Sequence, residues 1–153
     1  MKATLEGRCV GILVSDGSDA KVVAALRKAA LAAGASVKVV APKIGGAKMA
    51  DGSRLPADGQ LAGTPSMVFD AVAVVLSEAG ATALAKEGAA IDFVRNAFGH
   101  LKAIAVDAGG QALLKTAGVI PDAGVIVAHN TAKFIEAAMT RQWDREPSVR
   151  TLA

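Results

Sequence analysis

The sequence predicts an α/β fold in which a parallel sheet carries helices on both faces and an extra β-hairpin lies outside the sheet. Three observations predict it. Short, continuous apolar runs rich in Val and Ile recur along the chain, as in strands buried on both faces. Segments with helical spacing alternate with these runs, and strand–helix–strand order implies right-handed crossovers between parallel neighbours. One glycine-rich interval, residues 43–64, interrupts the alternation. With 153 residues and 52% hydrophobic side chains, the chain can bury one core from both sides of a sheet. Aromatics are only 3%, so that core is aliphatic.

The first strand is Cys9 to Val14, and Ser15-Asp16-Gly17-Ser18 turns the chain. Ser18 is the expected N-cap of a helix, with Asp19 at its positive end. Val22, Leu26, Ala29 and Ala33 follow at helical spacing, and Gly34 stops the helix. Val37 to Ala41 is the second strand. Asp51-Gly52 marks the hairpin. Ala71 to Leu76 is the third strand, followed by Ala-rich helices around Ala79 to Lys86 and Ala90 to Phe98. Leu101 to Val106 is the fourth strand, and Gln111 to Thr116 begins another helix. Val125 to Ala128 is a short fifth strand and Ala132 to Arg141 the last helix. No repeat and no long linker divides the chain, so residues 1–153 form one domain of flavodoxin-like type, with a short tail from about 142.

Composition excludes several function classes. The formal charge is +3 and the basic residues are scattered; Tyr is absent, so neither a basic track nor a stacking platform for nucleic acid is visible. No apolar run reaches the roughly 18 residues of a membrane span. Nothing after Met1-Lys2-Ala3-Thr4 resembles a secretory signal, and a cytoplasmic location is expected. The single cysteine, Cys9, excludes an intrachain disulfide and is expected to be a buried, slow-reacting thiol. Two histidines far apart, without a Cys cluster, make no zinc site, and no haem-ligand context is visible.

Ligands of parallel sheets gather at the carboxyl ends of the strands. Three stretches fall there: Asp16-Gly17, Leu76-Ser77-Glu78, and Asp107-Ala108-Gly109-Gly110. The run Ala105-Val106-Asp107-Ala108-Gly109 has the small–x–nucleophile–x–small form of a strand-to-helix elbow, with Asp107 where Ser or Cys normally stands. One reading makes Asp107 a carboxylate nucleophile with His129 as its partner, since His100 precedes the fourth strand and belongs at the opposite end. The other makes Asp107 the cap of the next helix and His129 a surface or packing residue.

The stretches Gly11-Ile12-Leu13-Val14-Ser15-Asp16-Gly17, Val39-Val40-Ala41-Pro42 and Phe69-Asp70-Ala71-Val72 resemble the superfamily of class I glutamine amidotransferases and protease I-like proteins. Within it, the chain is more similar to the C-terminal domain of large-subunit catalases. That similarity rests on residues 55–66, which include Pro56-Ala57-Asp58-Gly59, on residues 92–102, and on Arg141-Gln142-Trp143-Asp144-Arg145-Glu146. Active members of the superfamily carry a glutamate where Val22 stands, a Pro-Gly-Gly where Val75-Leu76-Ser77 stands, and a cysteine where Asp107 stands. The resemblance therefore implies a vacated elbow, with His129 as a remnant, no catalytic residue, and no cofactor in this chain. It places haem and peroxide breakdown in a core that this sequence lacks. It implies the catalase core or a neighbouring catalase subunit as partner, with Trp143 covering either this domain or that partner. Two other readings stand beside it: a chaperone-like module for unfolded clients, or one binding a small molecule; and a hydrolase using Asp107 and His129.

Overall fold

A computed structural model describes residues 5–142 and Arg145. The expectation about Trp143 lies outside the described residues.

The apolar runs become β1 (Cys9–Val14), β2 (Ser36–Ala41), β6 (Ala71–Val75), β7 (Ile104–Val106) and β8 (Val125–Val127). Together with β5 (Gly59–Gln60) they form a six-stranded sheet in the order β5-β2-β1-β6-β7-β8, parallel throughout. The Asp51-Gly52 turn closes an antiparallel pair, β3 (Ala47–Lys48) with β4 (Arg54–Leu55), outside that sheet; Gly52 adopts φ 87° there. The helices are α1 (Ala20–Ala32), α2 (Glu78–Leu84), α3 (Gly88–Gly99), α4 (Ala108–Thr116) and α5 (Thr131–Ala138).

Alternation along the strands builds two cores. Val10, Ile12 and Val14 of β1, with Ala73 and Val75 of β6, face α1 and α5, where they meet Val23, Leu26 and Phe134. Leu13, Val72 and Val74 face the other way, onto the layer of α2, α3 and α4 with Leu84, Phe93 and Leu113. The strands are short and almost wholly buried, which is why they read as unbroken apolar runs rather than as alternating ones. Gly11 is the exception in β1: a Cβ there would run into the Phe69 ring, which packs over it and against Phe93 at 6.3 Å between centroids.

The structure corrects several local expectations. The N-cap of α1 is Asp19, whose carboxylate accepts from the Lys21 and Val22 amides; Ser18 is wholly buried and used elsewhere. The fourth strand starts at Ile104 rather than Leu101, because Leu101 turns the chain at φ 62° after α3. α4 begins immediately after Asp107, well before Gln111, and α5 ends at Ala138. Cys9 is half-buried rather than buried, since it opens β1 at the rim of the sheet. β5 is a sixth strand that two residues with no side-chain pattern could not announce.

Candidate functional site

The sheet order places β1 at the point where successive connections diverge, to β2 on one side and from β6 onward on the other. A crevice forms outside the carboxyl ends at such a point. Ser18 Oγ donates to the Val75 carbonyl at 2.6 Å and accepts from the Ser15 amide at 3.0 Å, so the end of β1 is tied to the end of β6. Ser77 caps α2 by accepting from the Gly80 amide at 2.9 Å, and α2 lies over the crevice.

The Asp107 turn is the best-defined part of the site. Its backbone is ordinary extended chain, φ −91° and ψ −171°, so it carries none of the strain of a nucleophile turn. The small residues that the turn needs are Gly109 and Gly110. A Cβ on Gly109 would strike the Leu76 carbonyl and one on Gly110 the Val74 carbonyl, so only glycine lets α4 start against the end of β6. That approach brings Asp107 onto two separate amides. Its Oδ1 accepts from Gly110 N at 2.8 Å, and both carboxylate oxygens lie 3.1 Å from Leu76 N. Asp107 therefore caps α4 and clamps the end of β6 at once.

A cleft of about 810 Å³ opens beside this clamp, and Asp19, Val22, Leu76, Glu78, Asp107 and His129 are on its wall. The sequence-predicted residues do come together: Asp107, His129, Val22 and Leu76 share this cleft, while His100 lies at the other end of the sheet as the C-cap of α3. The cleft also has Glu78, from the second of the three candidate stretches, and Asp19, a carboxylate that sequence reasoning did not assign to a site. The signal for Asp19 was local, since it sits at a helix start.

Chemically, the arrangement is poor in free catalytic groups. His129 is exposed and no hydrogen bond links it to Asp107. The Leu76 amide, at the position where a Pro-Gly-Gly end would offer an anion donor, is taken by the Asp107 carboxylate. Val22 is buried and apolar where an acid would be needed. The lining does not suit a haem either: its single imidazole is exposed, and three carboxylates would face the propionates. Among the described residues, no group of three or more His, Cys, Asp or Glu side chains is placed to hold a metal ion, and no helix is long and apolar enough to cross a membrane.

Known structures with this layered arrangement define the class. Drosophila melanogaster DJ-1beta superposes with a TM-score of 0.73 at 16% identity, covering 94% of this chain and 96% of its own. A ThiJ/PfpI domain protein from Brachyspira murdochii gives 0.70 at 14% identity, covering 88% and 95%. The fold is thus the flavodoxin-like α/β fold of the DJ-1/ThiJ/PfpI proteins. The family follows from sequence: the model described as the C-terminal domain found in long catalases matches residues 6–147, and the chain belongs to that family. Catalase C of Rhizobium meliloti (strain 1021) is 39% identical over 151 residues, covering 95% of this chain and 21% of that protein. A Catalase HPII from Pseudomonas putida is 31% identical over 152 residues, covering 97% and 21%. The chain thus spans about a fifth of the length of these relatives.

Proposed function

We propose that this chain is the non-catalytic C-terminal domain of a large-subunit catalase, which stabilises or assembles the enzyme by packing on the haem-bearing core or on a neighbouring subunit. The observation that carries the non-catalytic part is the Asp107 clamp. A carboxylate that accepts from both Leu76 N and Gly110 N is engaged in holding α4 to β6 and occupies the donor a reaction would need. Family membership carries the rest: hydrogen peroxide breakdown and haem belong to the part of the long relatives that this chain does not span. A cytoplasmic location goes with that reading.

Two measurements test it. The purified chain supplied with haemin should give no stoichiometric Soret complex and no peroxide turnover, and Asp107→Cys should stay at background on ester, amide and glyoxal substrates. Wild-type turnover that vanishes in Asp107→Ala with unchanged melting would overturn the structural role and make Asp107 a nucleophile. Separately, the chain added to Rhizobium meliloti Catalase C truncated before its own C-terminal domain should slow thermal loss of peroxide turnover. No effect at saturating chain would reject the assembly role.

A second reading, a module for unfolded clients, draws on the exposed aliphatic side chains Ile44, Ile120 and Val127. Suppression of aggregation by wild type that is lost in Ile120→Asp would favour it.

A further inference from the structure

The opposite, amino-terminal end of the sheet holds a cleft that the elbow chemistry does not involve. It is about 340 Å³ and lies between Arg8 before β1, the turn Met67 to Asp70, Lys102 before β7, and Arg141 after α5. Three cations and one carboxylate thus line one small cleft. Lys102 is buried and its ammonium is spent on the Ser66, Met67 and Phe69 carbonyls. The two arginines are only partly spent. Arg8 directs Nη1 at the Ala138 and Met139 carbonyls, at 3.1 and 2.8 Å, and Arg141 directs Nη1 at the His100 carbonyl at 3.2 Å. Among the described residues, Nε and Nη2 of both meet no acceptor. The carboxylate, Asp70, accepts from the Cys9 amide at 2.8 Å and is in ion-pair contact with none of the three cations.

We propose that this cleft is a binding site for a carboxylate carried on a short aliphatic chain, either a free small acid or an acidic side chain of a polypeptide. Anchoring each guanidinium through one terminal nitrogen fixes its plane and leaves a two-nitrogen edge, the group that matches a planar carboxylate in bidentate fashion. The cleft carries three cations to one carboxylate; burial holds the Lys102 ammonium below the usual lysine range, with Asp70 opposing the shift and the Arg141 charge adding a smaller push the same way as burial. Met67 and Val68, both more than half exposed, give the cleft an apolar wall for methylene groups, which inorganic phosphate lacks. The inference stands apart from the catalase reading.

The test uses the whole 153-residue chain, ¹⁵N-labelled, with the arginine side-chain N–H signals followed by NMR at constant ionic strength. The probes are sodium butyrate, inorganic phosphate, and a capped tripeptide with glutamate between two leucines. Saturable shifts of Arg8 and Arg141 signals are expected with butyrate or the peptide, and the tighter of the two identifies the source. Arg141→Gln should weaken binding about tenfold, the loss of one charge-assisted bidentate contact. Asp70→Asn should tighten it, because a competing carboxylate is removed while the acceptor for Cys9 N is kept. Should Arg141→Gln lower the melting temperature, Arg141→Lys keeps the charge, loses the fork, and should still weaken binding. Unsaturable shifts with both carboxylates, affinity unchanged in the Arg141 variants, or phosphate binding as tightly as either carboxylate would overturn the proposal.

Discussion

At the carboxyl end of this sheet α1, α2, α4 and α5 begin, and at the amino end α3 and α5 finish; the polar side chains of the two ends differ accordingly. Helix starts are capped by Asp19, Ser77, Asp107 and Asn130, each accepting from a backbone amide. The ends of α3 and α5 are met by cations. Arg8 reaches the Ala138 and Met139 carbonyls at the end of α5, and Arg141 and Arg145 reach those of His100 and Phe98 at the end of α3. Right-handed crossovers make a helix that spans a connection run against its strands, so the dipoles of such helices align and sort acceptors to one end and donors to the other. The two ends also differ in depth. Asp19 and His129 border an open cleft, whereas Lys102 and Arg145 are buried. Arg145 is almost fully used: Nε and Nη2 grip Asp122 at 2.7 and 3.0 Å, Nη1 holds the Phe98 and Lys102 carbonyls, and the guanidinium lies 4.0 Å from the Phe98 ring centroid. The comparison teaches that the amino end holds its polar side chains buried, while those at the carboxyl end border an open cleft, so the larger stability losses are expected from the amino end.

The sharpest way to break that comparison is Arg145→Ala. It takes the guanidinium from Asp122 and from the Lys102 carbonyl, while the Phe98 carbonyl keeps the Leu101 amide, and about 3 kcal/mol should be lost, the low end for a broken buried pair because Asp122 stays partly solvated. Urea denaturation would measure it, and a loss below that of Asp107→Ala would reverse the ranking. Lys102→Met comes next, at about 2 kcal/mol, because the Met67 and Phe69 carbonyls lose this donor while the Ser66 carbonyl keeps the Phe69 amide. This variant also has a pH signature. Burial places the folded-state Lys102 pKa below its ordinary value of 10.5. Between those two values the unfolded chain binds more protons, so wild-type stability should gain with rising pH relative to Lys102→Met, and the difference should be flat below. A difference that falls with pH in that window would mean that the ammonium is favoured, not penalised, by its site.

Asp107→Ala should cost about 1–2 kcal/mol, the upper part of the range for a lost cap because the Leu76 amide is abandoned as well. Asp107→Asn should lose roughly half as much, since one acceptor oxygen remains. Asp19→Ala is the smallest effect, about 0.5–1 kcal/mol at a partly solvated cap. It sharpens the comparison through salt: the Asp19 contribution should shrink in about 1 M salt, whereas that of buried Arg145 should persist.

Much of this was legible in the chain. The runs at Cys9 to Val14 and Ala71 to Leu76 announced buried strands because each is long enough to be apolar on both faces; the second strand ends at Val75. Asp51-Gly52 announced the hairpin, and the small residues around Asp107 announced a tight strand-to-helix turn. Asp107, His129 and Leu76 line one cleft with Val22, since strand order fixes which loops are neighbours and Val22 lies in the first turn of α1. Ser18 was misread as a cap because Ser18 and Asp19 are equally good cap residues; what separated them was the Val75 carbonyl, 57 positions away, which claimed the Ser18 hydroxyl.

What the sequence determined by itself was everything set by spacing: the periods of strand and helix, the glycine turns, and the layered α/β fold to which they add up. Only the tertiary structure decided which side chain answers which backbone group. Lys102 and Arg145 look like ordinary surface cations in the sequence and are buried because carbonyls of Ser66, Met67, Phe69 and Phe98, 33 to 47 residues away, converge on them. Asp107 looks like a candidate nucleophile until the Leu76 amide, 31 residues earlier, is brought within 3.1 Å. The reason is that spacing rules concern neighbours along the chain. Satisfying a buried donor or acceptor is a condition on neighbours in space, and it has no period that a sequence can display.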